Sequence, residues 1–85
     1  MILQEKTIEM TIYALLEDIV KIPRSAIRRV DFLVRDLHMD SDDFSFLFVP
    51  ELEKRLGIHV PVQAWSTVYS VDDTIHLLKQ YMEQS

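Results

Sequence analysis

The run Asp40-Ser41-Asp42-Asp43 is where this sequence offers chemistry. Ser41 is a hydroxyl among three carboxylates, with His38 three residues before it and Asp36 five before. Ser41, His38 and Asp36 are the residue types of a hydrolytic triad. Nothing around them marks a strained nucleophile turn or an oxyanion hole, so no catalytic residues and no enzyme are expected. Asp40, Asp42 and Glu51 fall at positions 1, 3 and 12 of a calcium loop. Phe44 then stands at a ligand position and Ser45 where that loop requires glycine, so no metal is expected. His38, His59 and His76 have no ligand spacing, and with no cysteine there is no thiolate to help them. The four residues 40–43 are also N-cap and first-turn types, which makes a cap or surface role for Ser41 the plainer reading.

Composition narrows the function further. The chain has 85 residues, 14 acidic against 9 basic, and a net charge of −5. That balance argues against nucleic acid and anionic membranes and favours a basic patch on a protein partner. Residues 1–39 are neutral overall, and the acids concentrate at Asp40, Asp42, Asp43, Glu51 and Glu53. A single glycine argues against Gly-rich phosphate loops. No apolar run reaches the length of a membrane span, and residues 1–6 lack the order of a signal peptide, so the expected location is cytoplasmic.

The elements that must position these residues are helical. Ile8, Ile12, Leu15, Leu16 and Ile19 make one apolar stripe, predicting a helix over 7–21 with Thr7 as its cap and Pro23 as its stop. Residues 24–39 read as a long connection with local turns, a length that in a small domain is packed or functional. A second helix is predicted over 42–56, with Phe44, Leu47 or Phe48, Leu52 and Leu56 inward and Gly57 closing it. Pro50 interrupts that pattern, since an internal proline removes a hydrogen bond and kinks the axis. A short helical element is predicted between 61 and 67. A last helix over 70–83 starts from Ser70 and Asp73 as a capping box. The expected architecture is an all-α bundle of three to four helices with a long first loop, one domain over 1–85. Its core is expected to hold Ile12, Leu16, Ile19, Leu37, Leu47, Leu52, Leu56, Ile75 and Leu78.

Three motifs in order carry a family resemblance. Val34-Arg35-Asp36-Leu37-His38-Met39-Asp40-Ser41 resembles the segment that precedes the modified serine of acyl carrier proteins. Glu53-Lys54-Arg55-Leu56-Gly57-Ile58-His59-Val60-Pro61 is similar to the end of that family's second helix, and Ser70-Val71-Asp72-Asp73-Thr74-Ile75 to the start of its last. The resemblance runs from Thr7 to Met82 and implies 4′-phosphopantetheine on Ser41, a flexible thiol arm holding acyl groups as thioesters. A helix N-terminus would suit its phosphodiester, because free N–H groups and the dipole favour an anion there.

Three departures set the chain apart. Asp42 follows the serine where the family carries Leu or Ile. Counting forward from upstream makes Ser41 the carrier serine, whereas counting back from Leu56 and Pro61 puts Asp42 there, so one residue is in excess. Pro50 lies inside the recognition helix. The pattern also resembles uncharacterised bacterial acyl-carrier-like domains with Asp-Gly-Asp-Asp and no serine at this point. The expected function is therefore a non-catalytic acyl-carrier-like domain acting through protein–protein contacts and bearing no cofactor. The alternative is a working acyl or peptidyl carrier with the arm on Ser41. Partner contacts are assigned to Asp40, Asp42, Asp43, Phe46 and Glu51. Phe44, Phe46, Phe48 and Trp65 are candidates for an acyl pocket or plain core. Three phenylalanines in five residues exceed what one helical face buries, so at least one should be exposed. Arg24, Arg28 and Arg29 read as a solvated loop face or a docking patch.

Overall fold

The computed structural model describes residues 2–84, with side-chain surroundings for residues 5–83. Helix α1 runs Ile2–Val20 and is reversed by Lys21, which adopts the left-handed conformation at φ 62° and donates its N–H to the Glu17 carbonyl at 3.1 Å. A short 3-10 turn, Arg24–Ala26, opens the connection. Three consecutive segments, Ser41–Asp43, Phe44–Phe48 and Val49–Leu56, then form one uninterrupted helix, α2. A 3-10 turn at Val62–Thr67 leads to the last helix, α3, Val71–Gln84. No strand forms among the described residues, where the sheet-like alternation of residues 44–49 is helical throughout. The fold is the all-α bundle expected.

Two boundaries move. Helix α1 begins well before Thr7, so Thr7 is not its cap; its carbonyl accepts the Thr11 hydroxyl at 2.8 Å inside the helix. Pro50 does not break α2. The middle segment is a π turn in which the Val49 N–H reaches back five residues to the Phe44 carbonyl, and Phe48 and Val49 keep right-handed helical dihedrals. Pro50 follows directly, where a ring with no N–H would crowd the carbonyl four residues earlier in a regular helix. The widened turn lies over that stretch.

The π turn also explains the apolar spacing. Phe44, Phe48, Leu52 and Leu56 recur at strict four-residue intervals. Over twelve residues an α-helix turns about 1200°, leaving Leu56 about 120° around the axis from Phe44. Absorbing one residue cuts the offset to about 20°, so all four face one side. Phe48 and Leu52 are fully buried, with Phe44 and Leu56 half-buried beside them. Leu47, expected inside, is 52% exposed, because the stripe runs through Phe48 instead. Ile19 is only half-buried, near the end of α1.

Helix α1 packs against both α2 and α3, supplying Ile8, Ile12, Leu15 and Leu16 to the core. The connection contributes Ile27, Leu33, Leu37 and Met39. Gly57 closes α2 at φ 66° and ψ 34°, the left-handed conformation that glycine adopts without strain, and the Ile58 N–H bonds the Glu53 carbonyl. Replacing the fully buried Leu52 by alanine is expected to cost about 2–5 kcal/mol, measured by urea unfolding. A loss below about 0.5 kcal/mol would place Leu52 among surface residues.

Candidate attachment and docking site on helix α2

The connection presents Ser41 through a set of fixed turns. The Asp36 carboxylate accepts the Phe32 N–H at 2.8 Å and is touched by the Arg35 guanidinium at 3.4 Å. These bonds, the backbone one foremost, hold its pKa below the ordinary carboxylate value. The chain reverses at His38, left-handed at φ 60°, whose N–H bonds the Val34 carbonyl, while the Met39 N–H bonds that of Leu33. Leu37 and Met39 are buried, so the backbone enters α2 from two anchored residues. Asp40 is the N-cap residue, with extended dihedrals and no side-chain cap bond. Ser41 is the first helical residue and is exposed. Its side chain is therefore not the N-cap: it is a surface hydroxyl at a helix start.

Two apolar cavities flank the helix behind it. One, of about 300 Å³, lies between Ser41, Leu33, Val34, Phe44, Val68 and Tyr69. Its rim is aromatic: Phe32 stacks on Tyr69 at 6.5 Å and carries the Arg35 guanidinium 4.0 Å above its ring. The other, of about 290 Å³, is bounded by Phe44, Phe46, Val49, Val60, Val62 and Trp65. Phe44 and Ser45 border both. The Phe44 ring meets Trp65 edge-on at 5.9 Å and Phe48 at 5.8 Å. The Trp65 indole nitrogen is buried without a hydrogen-bond partner among the described residues. Of the four aromatic candidates, Phe44, Phe46 and Trp65 line a cavity and Phe48 is solid core.

The outer face of α2 carries the expected partner residues. Asp40 and Asp42 are exposed, and Asp43 and Glu51 half-buried, Glu51 within 3.4 Å of Arg55. Phe46 is 74% exposed, with Leu47 beside it. The calcium-loop alternative fails on geometry, because Asp42 and Glu51 sit in a helix rather than a loop. Among the described residues no group of carboxylates and histidines is placed to hold a metal. The triad alternative gains nothing: Asp36 is engaged by Phe32 and Arg35, and His38 and Ser41 face solvent.

The arginines divide: Arg24 and Arg28 are exposed, as a solvated loop face would have them, whereas Arg29 is half-buried. Arg29 bonds Asp72 at 2.7 Å and approaches Glu9 at 3.4 Å and Glu5 at 3.7 Å, joining the connection to α1 and α3. Arg28 pairs with the buried Asp31, and Arg24 lies 5.4 Å from the Tyr13 ring centre. The cavity rim of Phe32, Arg35, Val68 and Tyr69 was not singled out by sequence. Its only signal was apolar and aromatic residues within segments otherwise read as connection.

No family model matches the chain, and no curated protein matches it significantly.

Because the Asp36 pKa is lowered in the folded state, its contribution to stability is present above the ordinary carboxylate range. It is lost as pH falls through the lowered value. Thermal melts from about pH 7 down to about pH 2 should show Asp36→Asn less stable than wild type near neutrality, with the gap closing at the acid end. A gap independent of pH would contradict this assignment.

Proposed function

We propose that this chain is a non-catalytic, acyl-carrier-like interaction domain that docks through the outer face of α2 onto a basic patch of a protein partner. The observation that carries this is Phe46, 74% exposed on a helix whose outer face also bears Asp42, Asp43 and Glu51. An apolar side chain left mostly in water on an acidic helix face contributes little to the bundle. It suits a surface where basic groups steer the approach and an apolar contact follows.

A second reading, a carrier bearing 4′-phosphopantetheine on Ser41, is favoured by the π turn. The excess residue that put Ser41 and the downstream half of α2 in conflicting registers is absorbed between Phe44 and Phe48. Ser41 is exposed at the first helical position and borders an apolar cavity, so its hydroxyl and the neighbouring N–H groups fit a phosphodiester. When attached, the arm would supply a thiol for thioester chemistry. Asp42 weighs against this reading, placing a charge that is costly to desolvate where a partner would close over the serine.

Two measurements test these readings. Intact mass after incubation with a phosphopantetheinyl transferase and coenzyme A is expected to show no adduct on wild type or Ser41→Ala, with helical circular dichroism retained. An adduct on wild type that is absent from Ser41→Ala makes the second reading the correct one. For docking, the probe is an amphipathic helical peptide with leucines on one face and lysines along its edges. Association should slow as salt rises, and the combined Asp42→Asn, Asp43→Asn, Glu51→Gln variant should slow it about tenfold. Indifference to both salt and these substitutions would remove the docking reading.

A further inference from the structure

Helix α2 contains one residue more than its packing uses. Its inward stripe of Phe44, Phe48, Leu52 and Leu56 is aligned only because the π turn takes up one residue of rotation. With one of residues 45–47 removed and Pro50 replaced by alanine, a regular α-helix through 41–56 would present the same four side chains within one face. The three residues between Phe44 and Phe48 are all exposed, so the surplus lies outside the core. Two of them, Phe46 at 74% and Leu47 at 52%, are large apolar groups in water.

We propose that the π turn is carried for the outer face of α2, where it holds Phe46 and Leu47 out as the apolar anchor for a protein partner whose recess is ringed by lysine and arginine. This rests on docking through α2 and adds where the contact is made. The choice of partner follows from charge. Asp42 and Asp43 lie on the turn before the pair and Glu51 on the turn after it. The chain carries a net −5, and the Glu51 partner Arg55 lies farther along the helix. A second copy of this helix would bring carboxylates against carboxylates, whereas a basic rim meets them. Among the described residues Asp42 and Asp43 have no ion pair, whereas Glu51 is paired with Arg55 at 3.4 Å.

The experiment has a folding arm and a binding arm. Deleting Phe46 in a Pro50→Ala background, where no proline ring crowds a regular turn, should convert the π turn to regular helix and leave the thermal midpoint within about 5 °C of the Pro50→Ala parent. Deleting Lys54 in the same background should throw Leu52 or Leu56 off the core face and lower the midpoint by more than about 10 °C. A fall for the Phe46 deletion as large as that for Lys54 would overturn the proposal. In the binding arm, with the same leucine–lysine peptide, Phe46→Ser should keep the association rate and shorten the residence time at least about tenfold, and Phe46→Leu should restore most of it. If the acid-to-amide variant slows association while Phe46→Ser binds as wild type does, docking stands and this anchor does not. Sedimentation should show a monomer; a wild-type dimer that Phe46→Ser dissociates would make the occupant a second copy and overturn the partner assignment.

Discussion

The first turn of α3 is the clamp on which the rest of this molecule depends. A helix N-terminus has N–H groups with no partner inside the helix, and here each is taken up. Val71 donates to the Asp31 carbonyl and Asp72 to that of Arg29, while the Asp73 N–H bonds the Ser70 hydroxyl. The Asp73 carboxylate in turn accepts the N–H groups of Tyr69 and Ser70 at 3.1 Å, and the Leu33 N–H bonds the Tyr69 carbonyl. A connection with no glycine and little regular structure is thereby fixed to the end of a helix. The ion pair of Arg29 with Asp72 extends the clamp toward α1. Ser41 is placed by this chain of contacts: α3 holds the connection, and the connection sets where α2 starts.

This arrangement divides the molecule by kind of interaction. Along α1 and the inner face of α2, burial of Ile, Leu and Phe side chains does the work. In the segments between helices, backbone groups are satisfied by carboxylates, with Asp31, Asp36, Glu53 and Asp73 each accepting a main-chain N–H. Part of the acidity read from composition as a partner signal is thus internal. Asp40 and Asp42, at the start of α2, are exposed and accept no such bond.

The sequence disclosed the helices and their closures where one local rule sufficed. Gly57 and the Ser70–Asp73 box are legible because capping needs only the residues involved. The stripe of α1 is legible because its period matches a regular helix. Leu47 faces outward where a period of 3.6 residues per turn puts it inside, because the π turn shifts the phase of the residues it contains and of everything beyond. Pro50 and the excess residue were both visible as anomalies, and they proved to belong to one distortion. The roles of Arg29 and Asp72, 43 residues apart, and of Tyr69 against Phe32 could not be read, since no local pattern couples segments so distant in sequence. At the site itself, Ser41, the acids and the exposure of a phenylalanine were legible, whereas the aromatic rim was not.

Trp65 is the only tryptophan of the chain. It is 6% exposed, meets the Phe44 ring edge-on, and lines the cavity beneath the outer half of α2. An indole so placed, buried and packed edge-on against a phenylalanine ring, emits with a wavelength and intensity set by that packing. The molecule therefore carries its own optical reporter at the junction of helix and 3-10 turn. Any event that fills the cavity or displaces Phe44 is written into the colour and intensity of one fluorophore, without a label or an engineered substitution.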